Sequence, residues 1–256
     1  MAPRRRQPSR KVNEDALRKR ILQWPDAYVG PVEKRTRTLW VYEGFAMARR
    51  AVTYVPGLYK IFDEILVHAA TNKRRDPAMD ALYVEIDAAE CRISVFYNGD
   101  GVPVVEVQEQ EPRRSQRLRG QRPGVYLPEL FFGCLLDHSN HADAGADAEN
   151  TTGGRKDYGV KLTNIFSTEF VIETADGHRQ RKYKQDFSEN MGKKSEPEIT
   201  GCQQGENWTL ITFKPDLARF NMTHLDDDII ALMRKRVVEM ASILGITVLV
   251  EFNGIR

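Results

Sequence analysis

The chain has 256 residues, 41% hydrophobic and 29% charged, and its 38 Lys and Arg against 36 Asp and Glu leave a formal net charge of +2. Such a chain can bury a real core as one large domain, or one domain with appendages, and its near-neutral balance excludes a globally basic surface, leaving only local basic clusters. Its three cysteines, Cys91, Cys134 and Cys202, lie far apart with no CxxC and no His at ligand spacing, so neither a zinc site nor a disulfide framework is supported.

In chain order, residues 1–23 open with Arg4, Arg5, Arg6, Arg10 and Lys11 and read as a basic, disordered tail. A nuclear-import signal or a nucleic-acid contact is the alternative reading. This N-terminus lacks the apolar centre of a secretory signal, and no apolar run reaches the roughly 18 residues of a membrane span, so no membrane association and an intracellular location are expected. Residues 24–256 read as one folded domain.

Within Gly57–Lys73, Leu58, Ile61, Phe62, Ile65, Leu66 and Ala69 follow the apolar stripe of an amphipathic helix. Glu64, His68 and Thr71 stack on another face of the same helix, at spacings that let them meet one ligand. Ala81–Asp87 and Arg92–Asn98 alternate as a hairpin of strands, and a glycine turn, Asn98–Gly101, follows.

Residues 107–124 are rich in Arg, Gln and Pro and read as a solvated basic loop, with a nucleic-acid-contacting loop as the alternative. Leu127–Leu136 and Val160–Phe166 are predicted helices. Between them, residues 141–152 are small, acidic and polar, as suits a mobile lid. Strands are predicted over Phe170–Thr174, Arg181–Phe187 and Thr209–Lys214, with Gly192–Glu206 a polar connector. Leu225–Leu244 forms a long helix with Ile229, Ile230, Met233, Val237 and Met240 on one side, and Thr247–Phe252 closes the chain as a strand. Strands in hairpins with helices between them imply an α+β fold, a two-layer α/β sandwich.

The blocks VTYVPGLYKIFDEILVHAATNKRRDP, NGDGVPV, LPELFFG, TGGRKDYGVKLTNIFST and ITFKPDLARF resemble the N-terminal ATPase domain of eukaryotic type II DNA topoisomerases, from about Trp24 to Arg256. That family belongs with the gyrase, Hsp90, histidine-kinase and mismatch-repair ATPases, so the resemblance implies the Bergerat sandwich, ATP and Mg²⁺ as ligands, and residues 141–160 as nucleotide lid and phosphate loop. It implies Glu64 as the general base that polarises the attacking water. It aligns Asn72, Asn98, Ser139, Asn140, Gly154, Arg155, Lys156, Tyr158, Gly159 and Lys161 with nucleotide-contacting positions, and Tyr28 with a strap tyrosine that reaches a partner's nucleotide.

Three positions depart from the family pattern. His68 stands where an Asn ligates Mg²⁺, a hard ion that imidazole suits poorly. Tyr97 stands where a smaller acceptor meets the adenine amino group, and Asp157 replaces a loop glycine next to the phosphates. His138 also replaces a serine.

The expectation is a degenerate, pseudo-ATPase interaction or regulatory module without strand passage of its own, monomeric in isolation and able to pair with an intact topoisomerase II subunit. The transducer lysine, the acidic metal domain and the DNA-bonding tyrosine of the family have no counterpart in these residues. The alternative is an active ATP-hydrolysing domain of a type II topoisomerase. Either reading implies a nuclear protein, with DNA contacts through the tail and the basic loop.

Overall fold

The computed structural model describes residues 14–107, 124–135 and 158–255. Helices are α1 (Glu14–Gln23), α2 (Pro56–Arg75), α3 (Leu127–Gly133), α4 (Tyr158–Ile165) and α5 (Asp227–Leu244). The longer strands are β1 (Arg35–Glu43), β2 (Ala46–Tyr54), β3 (Ala81–Asp87), β4 (Arg92–Asn98), β7 (Ser167–Asp176), β8 (Arg181–Ser188) and β11 (Trp208–Pro215). Short ones are β5 (Glu106–Val107), β6 (Val125–Tyr126), β9 (Lys193–Lys194), β10 (Glu198–Gly201) and β12 (Leu249–Phe252).

One mixed sheet runs β10-β8-β7-β11-β4-β3-β12, with β9 paired to β8 and β12 parallel to β3. Alternation along β4 buries Ile93, Val95 and Tyr97 on the helix side and leaves Ser94, Phe96 and Asn98 on the other. The α2 stripe Leu58, Ile61, Phe62, Ile65, Leu66 and Ala69 is fully buried against this sheet. Each large aliphatic or aromatic side chain so buried is worth about 1.5–3 kcal/mol. Helices over one sheet face make a two-layer α/β sandwich.

Several boundaries and one whole expectation change. Residues 14–23 form α1 instead of a disordered tail, because Leu17, Ile21 and Leu22 reach the core and Ile21 is fully buried. Arg18 Nη1 donates to the Glu189 and Asn190 carbonyls at 3.2 Å each, and Glu14 Oε1 accepts from the Leu135 amide at 3.0 Å. Helix α3 stops at Gly133, since Cys134 is extended. Two short strands, β9 and β10, occupy the expected connector.

The β1–β2 hairpin, absent from the sequence reading, stands apart from the main sheet. Val41 and Val52 pack on Ala231 and Leu232 of α5. Its tip is fastened by Arg234, whose guanidinium lies 5.2 Å from the Tyr42 ring, 5.5 Å from Phe45 and 5.7 Å from Phe252. The Asp226 side chain caps α5 by accepting from the Ile229 amide at 3.1 Å.

Candidate functional site

The site lies between α2, the helix-facing row of the sheet and the start of α4. Cross-strand register aligns Leu82, Tyr97, Thr209, Thr174 and Tyr183 in one row across β3, β4, β11, β7 and β8, and all five are buried. Helix α2 lays His68 over that row, and Glu64, one turn earlier, lies towards α4.

Tyr97 and His68, read from the sequence as separate departures, meet. The Tyr97 hydroxyl lies 2.8 Å from His68 Nδ1. Burial, with a smaller push from the Arg75 charge, holds the His68 imidazole down to about 4, so it is neutral at pH 7, and the tautomer decides which of the two groups donates. The Phe132 ring stands edge-on to His68 at 5.5 Å. Burial pushes the Tyr97 phenol up, against the lowering effect of a hydrogen bond with Thr209, so it too stays neutral. Thr209 and Thr174 hydroxyls stand 3.0 Å apart beneath it. The result is a closed neutral network from α2 into the sheet.

Glu64 faces the first turn of α4. A Cβ added to Gly159 would overlap its carboxylate, so a larger residue there would require the Glu64 side chain to turn aside. Lys60, one turn earlier, forms an ion pair with Glu64. Thr71 does not join the site: its hydroxyl donates to the Val67 carbonyl at 2.9 Å, within its own helix.

The far end of α2 holds the glycine turn. Asn72, buried, donates to the Asn98 carbonyl at 3.3 Å, and Asp76 Oδ2 accepts from the Asp100 amide at 2.7 Å. Gly99 has φ +95°, and a Cβ there would sit 2.6 Å from that carboxylate oxygen. Asn98 points away from the helices. Its Oδ1 accepts from the amides of Asp80 at 3.0 Å and Ala81 at 2.9 Å, and its Nδ2 donates to Asp80 Oδ1 at 2.6 Å. The structure therefore places Asn72 and Asn98 in turn-holding contacts.

Lys161, in the first turn of α4, is 9% exposed, and its ammonium has no hydrogen bond or ion pair among the described residues. The Tyr158 ring lies 6.4 Å from Tyr28 of the same chain. Ser139, Asn140, Gly154, Arg155 and Lys156 fall outside the described residues, as do His138, Asp157, the lid and most of the basic loop. Lys60, Phe132 and the Thr209–Thr174 pair were missed from sequence. Only Lys60 had a signal there, its i,i+4 spacing to Glu64.

A carboxylate-bearing helix, a glycine turn after β4 and a helix start facing that carboxylate, all on one sheet, define an ATPase domain of the gyrase B and topoisomerase II class. The fold matches the 43K ATPase domain of Thermus thermophilus gyrase B with a TM-score of 0.61 over 93% of this chain and 49% of that one, at 20% identity, a likeness of fold alone. Within that class the chain is homologous to the N-terminal ATPase region of eukaryotic DNA topoisomerase 2.

It is 56% identical over 251 residues to DNA topoisomerase 2 of Pisum sativum, covering 96% of this chain and 16% of that protein. It is 58% identical over 234 residues to the Arabidopsis thaliana protein, covering 91% of this chain and 15% of that one. The ATPase region of Saccharomyces cerevisiae topoisomerase II superposes with a TM-score of 0.79 at 42% identity, over 93% of this chain and 59% of that structure. No family profile matches the chain.

Proposed function

We propose that this chain is a topoisomerase II-type ATPase domain whose nucleotide site has become part of its core: a pseudo-ATPase that serves as an interaction or regulatory module. The observation that carries this reading is the 2.8 Å contact between Tyr97 and His68. It joins the residue at the adenine-acceptor position to the residue at the Mg²⁺-ligand position. A phenol there takes the volume of the base, and its hydroxyl is engaged with the imidazole.

Mg²⁺–ATP fits these residues poorly. Mg²⁺ requires oxygen ligands in near-octahedral array, and His68 offers a neutral nitrogen already engaged. The Glu64 carboxylate lies beside Gly159 of α4 and is paired with the half-exposed Lys60. A hydrolytic step has no support from this arrangement.

The second reading, an active ATP-binding and ATP-hydrolysing domain acting in DNA topological change, is favoured by the Glu64–Gly159 approach and by the Lys161 ammonium, which has no partner among the described residues. Steady-state ATP turnover decides between them. The pseudo-enzyme reading expects no Mg²⁺-dependent rate above background, and a rate abolished by Glu64→Ala would overturn it.

In this reading the partner is an intact topoisomerase II subunit, reached through the strap around Tyr28, and the chain alone is a monomer. DNA contacts through the basic tail and loop are sequence-independent and weaken steeply with salt. The location is the nucleus.

A further inference from the structure

A cleft of about 440 Å³ opens between the β1–β2 hairpin and α5. Tyr59, on one wall, is nine residues before His68, two and a half helical turns, so the cleft lies on the opposite side of α2 from the nucleotide-type site. Its volume falls in the range of ligand-binding clefts. Leu39, Tyr54, Tyr59 and Leu232 supply apolar surface, and the Tyr54 and Tyr59 rings stand nearly perpendicular at 6.4 Å.

Trp40 and Arg49 border the cleft as direct cross-strand partners, so they share one face of the hairpin. Trp40 is 51% exposed. Among the described residues no hydrogen bond engages the Trp40 indole N–H, the Tyr54 or Tyr59 hydroxyl, or the Arg49 guanidinium, and no ion pair engages Arg49. The neighbouring Arg50, by contrast, is held by Glu43 and Asp228. Lys235, the other bordering cation, shares its charge with Glu239 at 2.6 Å.

We propose that this cleft docks a short acidic peptide segment of a partner protein, seating one apolar side chain against Tyr54, Tyr59 and Leu232 and one carboxylate on Arg49. One free guanidinium matches one carboxylate. Asp63, Asp228 and Glu239 on the adjoining helices are paired with Arg236, Arg50 and Lys235 respectively, so Arg49 is the bordering cation left to meet an anion. The apolar walls of Leu39, Tyr54, Tyr59 and Leu232 favour a peptide side chain over a phosphate backbone. Among the described residues strand β1 has β2 as its only sheet neighbour, so an extended peptide can align beside it. The site shares no residue with the nucleotide-type site, and its test is independent of the turnover assay.

The test is a titration of the ¹⁵N-labelled full chain with the blocked peptide acetyl-Asp-Phe-Asp-Leu-amide, its Asn-for-Asp counterpart and a thymidine decamer. The acidic peptide is expected to move the Trp40 indole signal and the amides of Thr38, Arg49 and Tyr59 saturably. The neutral peptide should bind about fivefold more weakly or worse, and Arg49→Glu should impose a similar loss while Arg49→Lys retains binding. Arg49 is exposed, so an unchanged amide spectrum is expected to show the variant folded. Equal binding of both peptides, shifts that avoid the cleft, absence of shifts, or movement of these signals by the decamer instead would each overturn the proposal.

Discussion

Tyr97→Phe removes one oxygen from the buried network and leaves the ring in place. It breaks the 2.8 Å contact to His68 Nδ1 and strands an imidazole nitrogen beside Phe132. A neutral hydrogen bond contributes about 0.5–1.5 kcal/mol, and a partner left unsatisfied in the interior adds desolvation cost, so a loss of about 1.5–2.5 kcal/mol is expected. With a urea m-value of about 3 kcal/mol/M for a domain of this size, the midpoint falls by about 0.5–0.8 M. The lost Thr209 contact contributes too, so the pair is isolated by a double-mutant cycle with His68→Leu, read by equilibrium urea unfolding. A stabilising coupling of about 1 kcal/mol is expected. Coupling below about 0.3 kcal/mol, or a neutral Tyr97→Phe, would refute the idea that these two residues form one structural unit.

His68 makes stability depend on pH. Its folded value of about 4 lies below the ordinary 6.5, so between those values the unfolded chain binds the extra proton and stability falls as pH falls from 6.5 towards 4. The contribution lost is at most about 3 kcal/mol, and urea midpoints of His68→Leu should decline less than wild type across that window. Ile21→Ala should cost about 2–4 kcal/mol in the same assay, because Ile21 is fully buried; a silent substitution would return α1 to the status of a tail. Gly99→Ala forces φ +95° on a residue with a Cβ and crowds Asp76, so destabilisation beyond about 1 kcal/mol is expected by thermal unfolding. Restoring the family residues by His68→Asn, Tyr97→Asn and Asp157→Gly together should tighten nucleotide binding in a fluorescence titration, and no change would show that the defect lies elsewhere.

The elements legible in the sequence were those whose burial has a clean period. The α2 stripe, the β3–β4 pair and α5 all appear close to where apolar spacing put them, because one face of each is buried and the other solvated. Helix α1 carries the same kind of signal in Leu17, Ile21 and Leu22, but it continues a run of arginines and lysines whose charge suggested disorder. The β1–β2 hairpin alternates Arg and Thr, and its docking depends on Arg234 and on Ala231 and Leu232, far away in the chain.

The site divides in the same way. Glu64 and His68 were legible on one helix face, and Tyr97 as an oversized residue before a glycine turn. Their hydrogen bond was not, because helix–strand pairing at a separation of 29 residues leaves no local pattern. Thr71 was misassigned because helical spacing says which residues share a face, while the hydroxyl's preference for its own helix carbonyl decides what it touches.

The most direct measurement is a titration of the wild-type chain with a fluorescent, nonhydrolysable ATP analogue, with and without Mg²⁺, beside the His68→Asn, Tyr97→Asn, Asp157→Gly variant. The closed Tyr97–His68 network predicts no saturable, Mg²⁺-dependent binding by the wild type and its appearance in the variant. Tight Mg²⁺-dependent binding by the wild-type chain would contradict the claim that the nucleotide site has become part of the core.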